Sequence, residues 1–400
     1  MANILLLRAK TRVPCPPLGL LFLASYLEEN KHHAKICDLA VENEKVLYDL
    51  LYSNEFDAVG ISSNISTYYN DLYISKYVKD NFNLPIIVGG PHPSVAPSDY
   101  EDGFDYIVIG DGEKSLTNIL NAIENNKKVE RIQRNIIDIS NIPNPARHLI
   151  DYKKYYHNVS DEEKREFVFV SRGCPYNCIF CVGPKIFGSK PRYRNVENVI
   201  NELKEIKDIY KFRKIRIADD LFVVNRNYVS EFCRGLYEEK LDLDLDCQSR
   251  IDTISQDILE TMKGVGFNSI FIGIESGNEE TLRRIGKPFS IQKIKDTVEL
   301  VKKEGYFITG SFTVGYPWEK KDDIRSTFSF AKELDLDRIR MYIVTPLPGT
   351  ALYYRYRGNI VNRDYNLYDT KHAVMNGNYL TASEIQELYE LYMEEFGIED

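Results

Sequence analysis

The chain has 400 residues, enough for two or three domains at the usual ~150 residues each, and 43% of them are hydrophobic. That composition excludes a disordered chain, a collagen-like fibre and a disulfide-stapled miniprotein. With 51 basic and 60 acidic residues the net charge is -9, so no general basic field exists to hold a nucleic acid backbone.

Elements follow in a regular rhythm from the first residues. Short apolar runs at 4–7, 34–37, 58–61, 86–88 and 106–109 alternate with helical patterns at 18–26, 46–51, 72–78 and 116–123. Such alternation builds a parallel sheet covered on both faces, so residues 1–130 are expected to form a doubly wound, Rossmann-like α/β domain. Residues 131–165 show no clear period and carry Ile142-Pro143-Asn144-Pro145; they read as a linker. A second series starts at 167–170 and continues at 215–217, 241–247, 269–274, 307–314 and 339–344. Six strands on a βα repeat imply a partial TIM-like barrel over 166–352, whose chemistry would collect on the loops after the strands. Residues 353–400, with a Tyr-rich start and an amphipathic helix near 382–396, are expected to form a helical cap.

No apolar run approaches the ~20 residues that span a bilayer, and the opening apolar stretch is short for a signal peptide, so the reading is cytoplasmic and without membrane. Of seven cysteines, Cys174, Cys178 and Cys181 fall within eight residues, whereas Cys15, Cys37, Cys233 and Cys247 are scattered. In a reducing compartment the group suggests metal and the singletons suggest packing.

The group spaces its thiols C-x3-C-x2-C directly after a predicted strand. Structural zinc normally takes four ligands, often as two pairs, and no second pair is present. Three thiolates would instead leave one iron of a 4Fe-4S cluster open to a small molecule. A zinc knuckle completed by a distant His, and three unrelated buried thiols, remain the alternatives.

This motif, with Phe180 before its last cysteine and in the loop after the first barrel strand, resembles the radical S-adenosylmethionine superfamily. The resemblance implies a 4Fe-4S cluster on Cys174, Cys178 and Cys181 whose open iron chelates S-adenosylmethionine and cleaves it to a 5'-deoxyadenosyl radical. Further loops resemble one branch of that superfamily: Ala218-Asp219-Asp220, Gln248-Ser249-Arg250 and Gly273-Ile274-Glu275-Ser276-Gly277. A cationic amine suits Asp219 or Asp220 and a carboxylate suits the fork of Arg250, while Glu275 suits a ribose hydroxyl. Capping of turns and helices is the plain alternative for the acids, and pairing with Asp252 is that for Arg250. Gly315-Tyr316-Pro317-Trp318-Glu319 resembles the family's Gly-x-Pro-Gly-Glu turn with Trp318 in place of the second glycine. Thr345-Pro346-Leu347-Pro348-Gly349-Thr350 matches the turn after the sixth strand.

In the N-terminal half, Pro16-Pro17-Leu18-Gly19-Leu20, Gly60-Ile61-Ser62-Ser63 and Val88-Gly89-Gly90-Pro91-His92-Pro93 resemble cobalamin-binding domains. Pro17, Leu18, Gly19, Ser62, Ser63, Gly89, Gly90, Pro91 and His92 would line the cofactor: the glycines remove Cβ obstruction and the serines offer hydroxyls. Domains that ligate cobalt from below carry Asp-x-His-x-x-Gly after the first strand. This chain has Arg8-Ala9-Lys10-Thr11-Arg12 there, which implies base-off cobalamin without a histidine ligand. His92 is expected to be structural or to touch the tail, His32 and His33 to be solvated, and Asp111-Gly112-Glu113 to cap a helix.

The resemblance implies hydrogen abstraction by the adenosyl radical and methyl transfer from methylcobalamin to an unactivated carbon of a small-molecule or peptide substrate. A reductant such as flavodoxin or ferredoxin would feed the cluster, and the chain is expected to be a monomer. An oxidative cyclase like the anaerobic magnesium-protoporphyrin ester cyclase shares these motifs. A methylthiotransferase fits less well, because its N-terminal domain would bring a further cysteine triad. The alternative of another class is a non-enzymatic cobalamin or iron-sulfur sensor.

Overall fold

The computed structural model describes every residue except 12, 13, 158, 161, 162, 399 and 400, so Arg12 of the run after the first strand lies outside the described residues. The chain divides into two compact units, Met1–Lys164 with Lys185–Gly188, and Arg165–Pro184 with Ser189–Asp400.

The first unit is built on six parallel strands: β1 (Asn3–Arg8), β2 (His33–Asp38), β3 (Ala58–Ser62), β4 (Ile86–Gly89), β5 (Tyr106–Gly110) and β6 (Ile132–Asn135). Their order is β2-β1-β3-β4-β5-β6. Successive residues of β1 point to opposite faces: Leu5 and Leu7 enter one core, Ile4 and Leu6 the other. Each core is closed by helices, which is why the strand reads as one continuous apolar run. The order reverses at β1, between β2 and β3, and in such sheets ligands bind beyond the strands' C-terminal ends at that reversal. The segment 131–165, expected to be a linker, clusters with this unit through Lys164 and contributes β6. Alternate residues of β6 are exposed, and so short an edge strand leaves no apolar run to read.

The second unit runs β7 (Arg165–Val168), a two-residue antiparallel pair β8 (Ser171–Arg172) and β9 (Arg192–Tyr193), then β10 (Lys214–Ile217), β11 (Asp244–Ser249), β12 (Phe267–Glu275), β13 (Phe307–Val314) and β14 (Arg338–Ile343). The main sheet is ordered β14-β13-β12-β11-β10-β7, all parallel and in strict chain sequence. Helices alternate with these strands, giving the expected partial barrel. The C-terminal helix Ala382–Glu395 packs Tyr389 and Tyr392 on Phe328 and donates from the Tyr389 hydroxyl to the Met341 carbonyl of β14. No helix among the described residues is long and apolar enough to cross a membrane.

Candidate functional site

Two tethers shape the cysteine loop after β7. At its start, Asp219, just past β10, accepts from the backbone N–H of Val170 (2.9 Å) and Ser171 (3.1 Å) and from the Ser171 hydroxyl (2.5 Å). Burial pushes the Asp219 carboxyl up to about 7. Farther along, the Ile179 N–H donates to the Ile285 carbonyl at 3.2 Å, and the Ile179 carbonyl accepts from Leu352 at 2.9 Å. Gly286 makes that docking possible: its φ is +87°, and a Cβ there would lie 3.3 Å from the Asn177 carbonyl.

The tethers bring the three thiols near one another, with Cys174 and Cys178 half-buried and Cys181 exposed. Burial raises the Cys174 thiol, and nearby Asp220 and Cys178 raise it further. A cationic group in their midst would hold all three as thiolates. Among the described residues no three His, Cys, Asp or Glu side chains close on one point as a single zinc ion requires. A cubane asks only that the thiols surround a volume, since each binds a different iron.

Around this loop the expected residues divide by what their polar atoms already do. Asp219 is committed to the tether, whereas neighbouring Asp220 is exposed and its carboxylate takes the Gly173 N–H. Gly183 faces Asp220 so closely that a Cβ would lie 3.2 Å from Oδ1. Ser249 is buried, its hydroxyl 3.2 Å from that of Thr253. Arg250 donates Nε to Asp252 at 2.9 Å, Nη2 to the Gly286 carbonyl at 3.2 Å, and Nη1 to the Cys178 sulfur at 3.4 Å. Half-buried Phe180 stands 6.2 Å from the ring of Tyr316.

Glu275 ends β12 with φ +76°, where the register against β13 shifts. A non-glycine residue held there stores strain, typically about 1–3 kcal/mol, and marks a position the surroundings enforce. The enforcers are Lys287, whose Nζ reaches Glu275 Oε1 at 2.7 Å and the Gly273 carbonyl at 2.9 Å, and Thr313, whose hydroxyl donates to Oε2 at 3.2 Å. In the Gly315–Glu319 turn, Glu319 accepts the N–H groups of Gly315 (2.8 Å) and Tyr316 (3.0 Å). Burial pushes its carboxyl up to about 8. The positive φ falls on Gly315, not on Trp318, so the turn closes without the second glycine. Trp318 stacks on Tyr316 at 5.3 Å.

In the first unit several expected ligand contacts turn inward. Ser63 is fully buried, its hydroxyl 2.5 Å from Asp71 and 2.6 Å from the Tyr100 hydroxyl. Gly90 has φ +108°, and a Cβ would strike the Ser63 carbonyl at 2.6 Å, so the glycine is required by the β3 loop itself. His92 is buried, 3.0 Å from Asp99, with Tyr68 and Tyr100 edge-on to its ring. Pro17 and Leu18 are buried too. Gly19 and Pro91 are exposed, Ser62 and Gly89 are half-buried, and nothing lies within 4 Å of a Cβ built on Gly19. At the end of β1, Arg8 donates to both oxygens of Asp38 (2.9 and 2.5 Å) and to the Cys15 carbonyl (2.5 Å).

His32 is buried, not solvated, and its Nδ1 accepts the Ala2 N–H at 3.2 Å. Asp111-Gly112-Glu113 opens the helix Glu113–Glu124 as expected, with Gly112 at its N-cap, and Asp111 also accepts the Ile137 N–H at 2.9 Å, which tethers the chain past β6.

The family model of the Radical SAM superfamily matches residues 168–331, and that of the B12 binding domain matches residues 4–120. A Pyrococcus horikoshii protein named as an uncharacterized methyltransferase is 31% identical over 403 residues, across 93% of this chain and 86% of its own. The chain belongs to the cobalamin-binding radical S-adenosylmethionine family. The anaerobic magnesium-protoporphyrin IX monomethyl ester cyclase of Synechocystis is 24% identical over 400 residues, 92% of this chain and 79% of its own. The fold is shared with the radical S-adenosylmethionine methyltransferase TsrM of Kitasatospora setae, solved with cobalamin and a [4Fe-4S] cluster. Its TM-score is 0.78 at 17% identity, over 89% of this chain and 75% of that one.

Within this cobalamin-binding radical chain, sequence reasoning passed over Lys287 and the helix end at Ile285-Gly286. The signal was available in Gly286-Lys287-Pro288: a glycine past a helix end, then a lysine fixed by a following proline.

Proposed function

We propose that this family member uses S-adenosylmethionine, a 4Fe-4S cluster and base-off cobalamin to methylate an unactivated carbon of a small molecule or peptide. The observation that carries the reading is the grouping of Cys174, Cys178 and Cys181 with an arginine donor on the Cys178 sulfur, in a chain that also contains a B12 binding domain. When bound, these groups would supply the electron that cleaves S-adenosylmethionine and the methyl group that is transferred.

The chain's own residues then have separable duties. The three thiolates hold irons and leave the fourth without a protein ligand. Asp220, exposed and one residue past the committed Asp219, is the carboxylate available to a cationic amine. Glu275 keeps lone pairs beyond the two contacts it makes, so a ribose hydroxyl would meet a carboxylate already fixed by Lys287 and Thr313. In the first unit, Gly19, Ser62, Gly89 and Pro91 would face cobalamin, and Arg8, paired with Asp38 at the end of β1 in place of a histidine, supports a cobalt left without a protein imidazole.

The test is anaerobic incubation of the reconstituted protein with S-adenosylmethionine, methylcobalamin and dithionite or a flavodoxin. Formation of 5'-deoxyadenosine, with gain of a methyl group in a candidate substrate, supports the reading. Absence of 5'-deoxyadenosine from a fully loaded protein contradicts it and favours a sensor. A cyclised product without added methyl retains the radical step and refutes the transfer.

A further inference from the structure

We infer that Arg250 sets the reduction potential of the cluster held by Cys174, Cys178 and Cys181, through the N–H it donates to the Cys178 sulfur. This rests on the cluster reading above and goes beyond the carboxylate grip that the sequence suggests for Arg250.

The guanidinium is held on every side. Its carbon lies 3.9 Å from the ring centroid of Tyr176 and 4.8 Å from that of Phe289, so it is clamped between two aromatic faces. Asp252 fixes Nε and the Gly286 carbonyl fixes Nη2, which aims Nη1 at the sulfur. That clamp is a planar one: a guanidinium fork fills it, and an ammonium would not.

The charges around the sulfur are unequal in weight. The Arg250 side chain is 6% exposed, whereas that of its partner Asp252 is 37% exposed and therefore better screened by water. Asp220, just past β10, neighbours Cys174 and Cys181. Of the Arg250–Asp252 ion pair beside Cys178, the cation is therefore the less screened member and the one in contact with the sulfur. Reduction adds one electron and no proton to the cluster, so a fixed adjacent cation and an N–H on a ligand sulfur favour the reduced form and raise the potential. Arginine does not deprotonate in the working range, so the effect should be independent of pH near neutrality.

The experiment is a potentiometric titration, followed by electron paramagnetic resonance, of anaerobically reconstituted wild type, Arg250→Gln and Arg250→Lys, with dithionite as electron donor and without S-adenosylmethionine. At a fixed potential the ratio of reduced to oxidised cluster in Arg250→Gln should fall about tenfold, equivalent to ~59 mV for a one-electron couple. Arg250→Lys, which keeps the charge and loses the fork, should fall between the two, and it carries the test alone if the Gln variant does not load iron. The same shift should appear at pH 7 and pH 8. A variant that loads a full cluster and titrates on the wild-type curve overturns the inference, even if its S-adenosylmethionine affinity drops, since that pattern belongs to a carboxylate ligand. A wild type that takes up no four-iron cluster defeats the underlying cluster reading instead.

Discussion

The loops at the strand ends of the two units use their marked residues in opposite ways. In the cysteine loop, side chains are left to do chemistry: three thiols stand together, Asp220 is exposed, and Arg250 points an N–H at a sulfur. In the B12 binding domain, Ser63, Gly90 and His92 are spent on the fold, while Gly19, Ser62, Gly89 and Pro91, which we propose face the ligand, are exposed or half-buried. Iron needs thiolates, so a cluster site must commit side chains. A long nucleotide tail needs room and backbone, so the proposed site would be secured by buried residues one layer behind it.

The largest effect is expected at the cysteines. Cys178→Ala should lose the whole cluster and all cleavage of S-adenosylmethionine while the secondary structure is unchanged, as iron analysis and circular dichroism would report. A variant with wild-type iron content would mean that the loop is not a cluster site.

A glycine substitution in the other unit should act through stability instead. Gly90→Ala places a Cβ 2.6 Å from the Ser63 carbonyl at φ +108°, a conformation side chains rarely adopt. The expected cost is about 3 kcal/mol, read as a lowered midpoint in thermal unfolding, with iron content per folded chain unaffected. Equal loss of iron and stability would show that the two sites are less separable than proposed.

A smaller effect is expected from Asp71, whose Oδ2 accepts from the Ser63 and Thr67 hydroxyls while Oδ1 is buried without a partner. Burial raises its carboxyl from 3.8 to about 7. The folded state therefore binds the proton more tightly than the unfolded chain, and the stability this gives is full below about pH 4 and lost as pH rises towards 7. Between pH 5 and 7 the loss should be about 2 kcal/mol. Asp71→Asn should flatten that part of the profile. An unchanged slope would assign the titration to Asp219 or Glu319 in the second unit, which burial raises in the same direction.

The sheets were legible because β1 and β3 to β5 are buried on both faces and read as apolar runs, and because the second series follows a βα repeat. Boundaries slipped where tertiary contacts decide them. β7 ends at Val168, two residues before the apolar run does, because Val170 and Ser171 give their N–H groups to Asp219. The cysteine spacing is local and could be read; which of Asp219 and Asp220 is free could not, since that depends on a strand end 48 residues away. Gly286-Lys287-Pro288 marks a helix end locally, but what those residues touch, Asn177 and Glu275, follows only from the fold.

On this proposal one chain carries both an open cluster and a cobalamin without a protein imidazole. Electron paramagnetic resonance of the anaerobically loaded, reduced protein tests it most directly. The expected result is a reduced cluster signal from about four irons per chain, together with base-off cob(II)alamin lacking nitrogen splitting and unaltered in His92→Ala. Strong axial nitrogen splitting that disappears in that variant, or cysteines filled by a single zinc with no cluster signal, would contradict it.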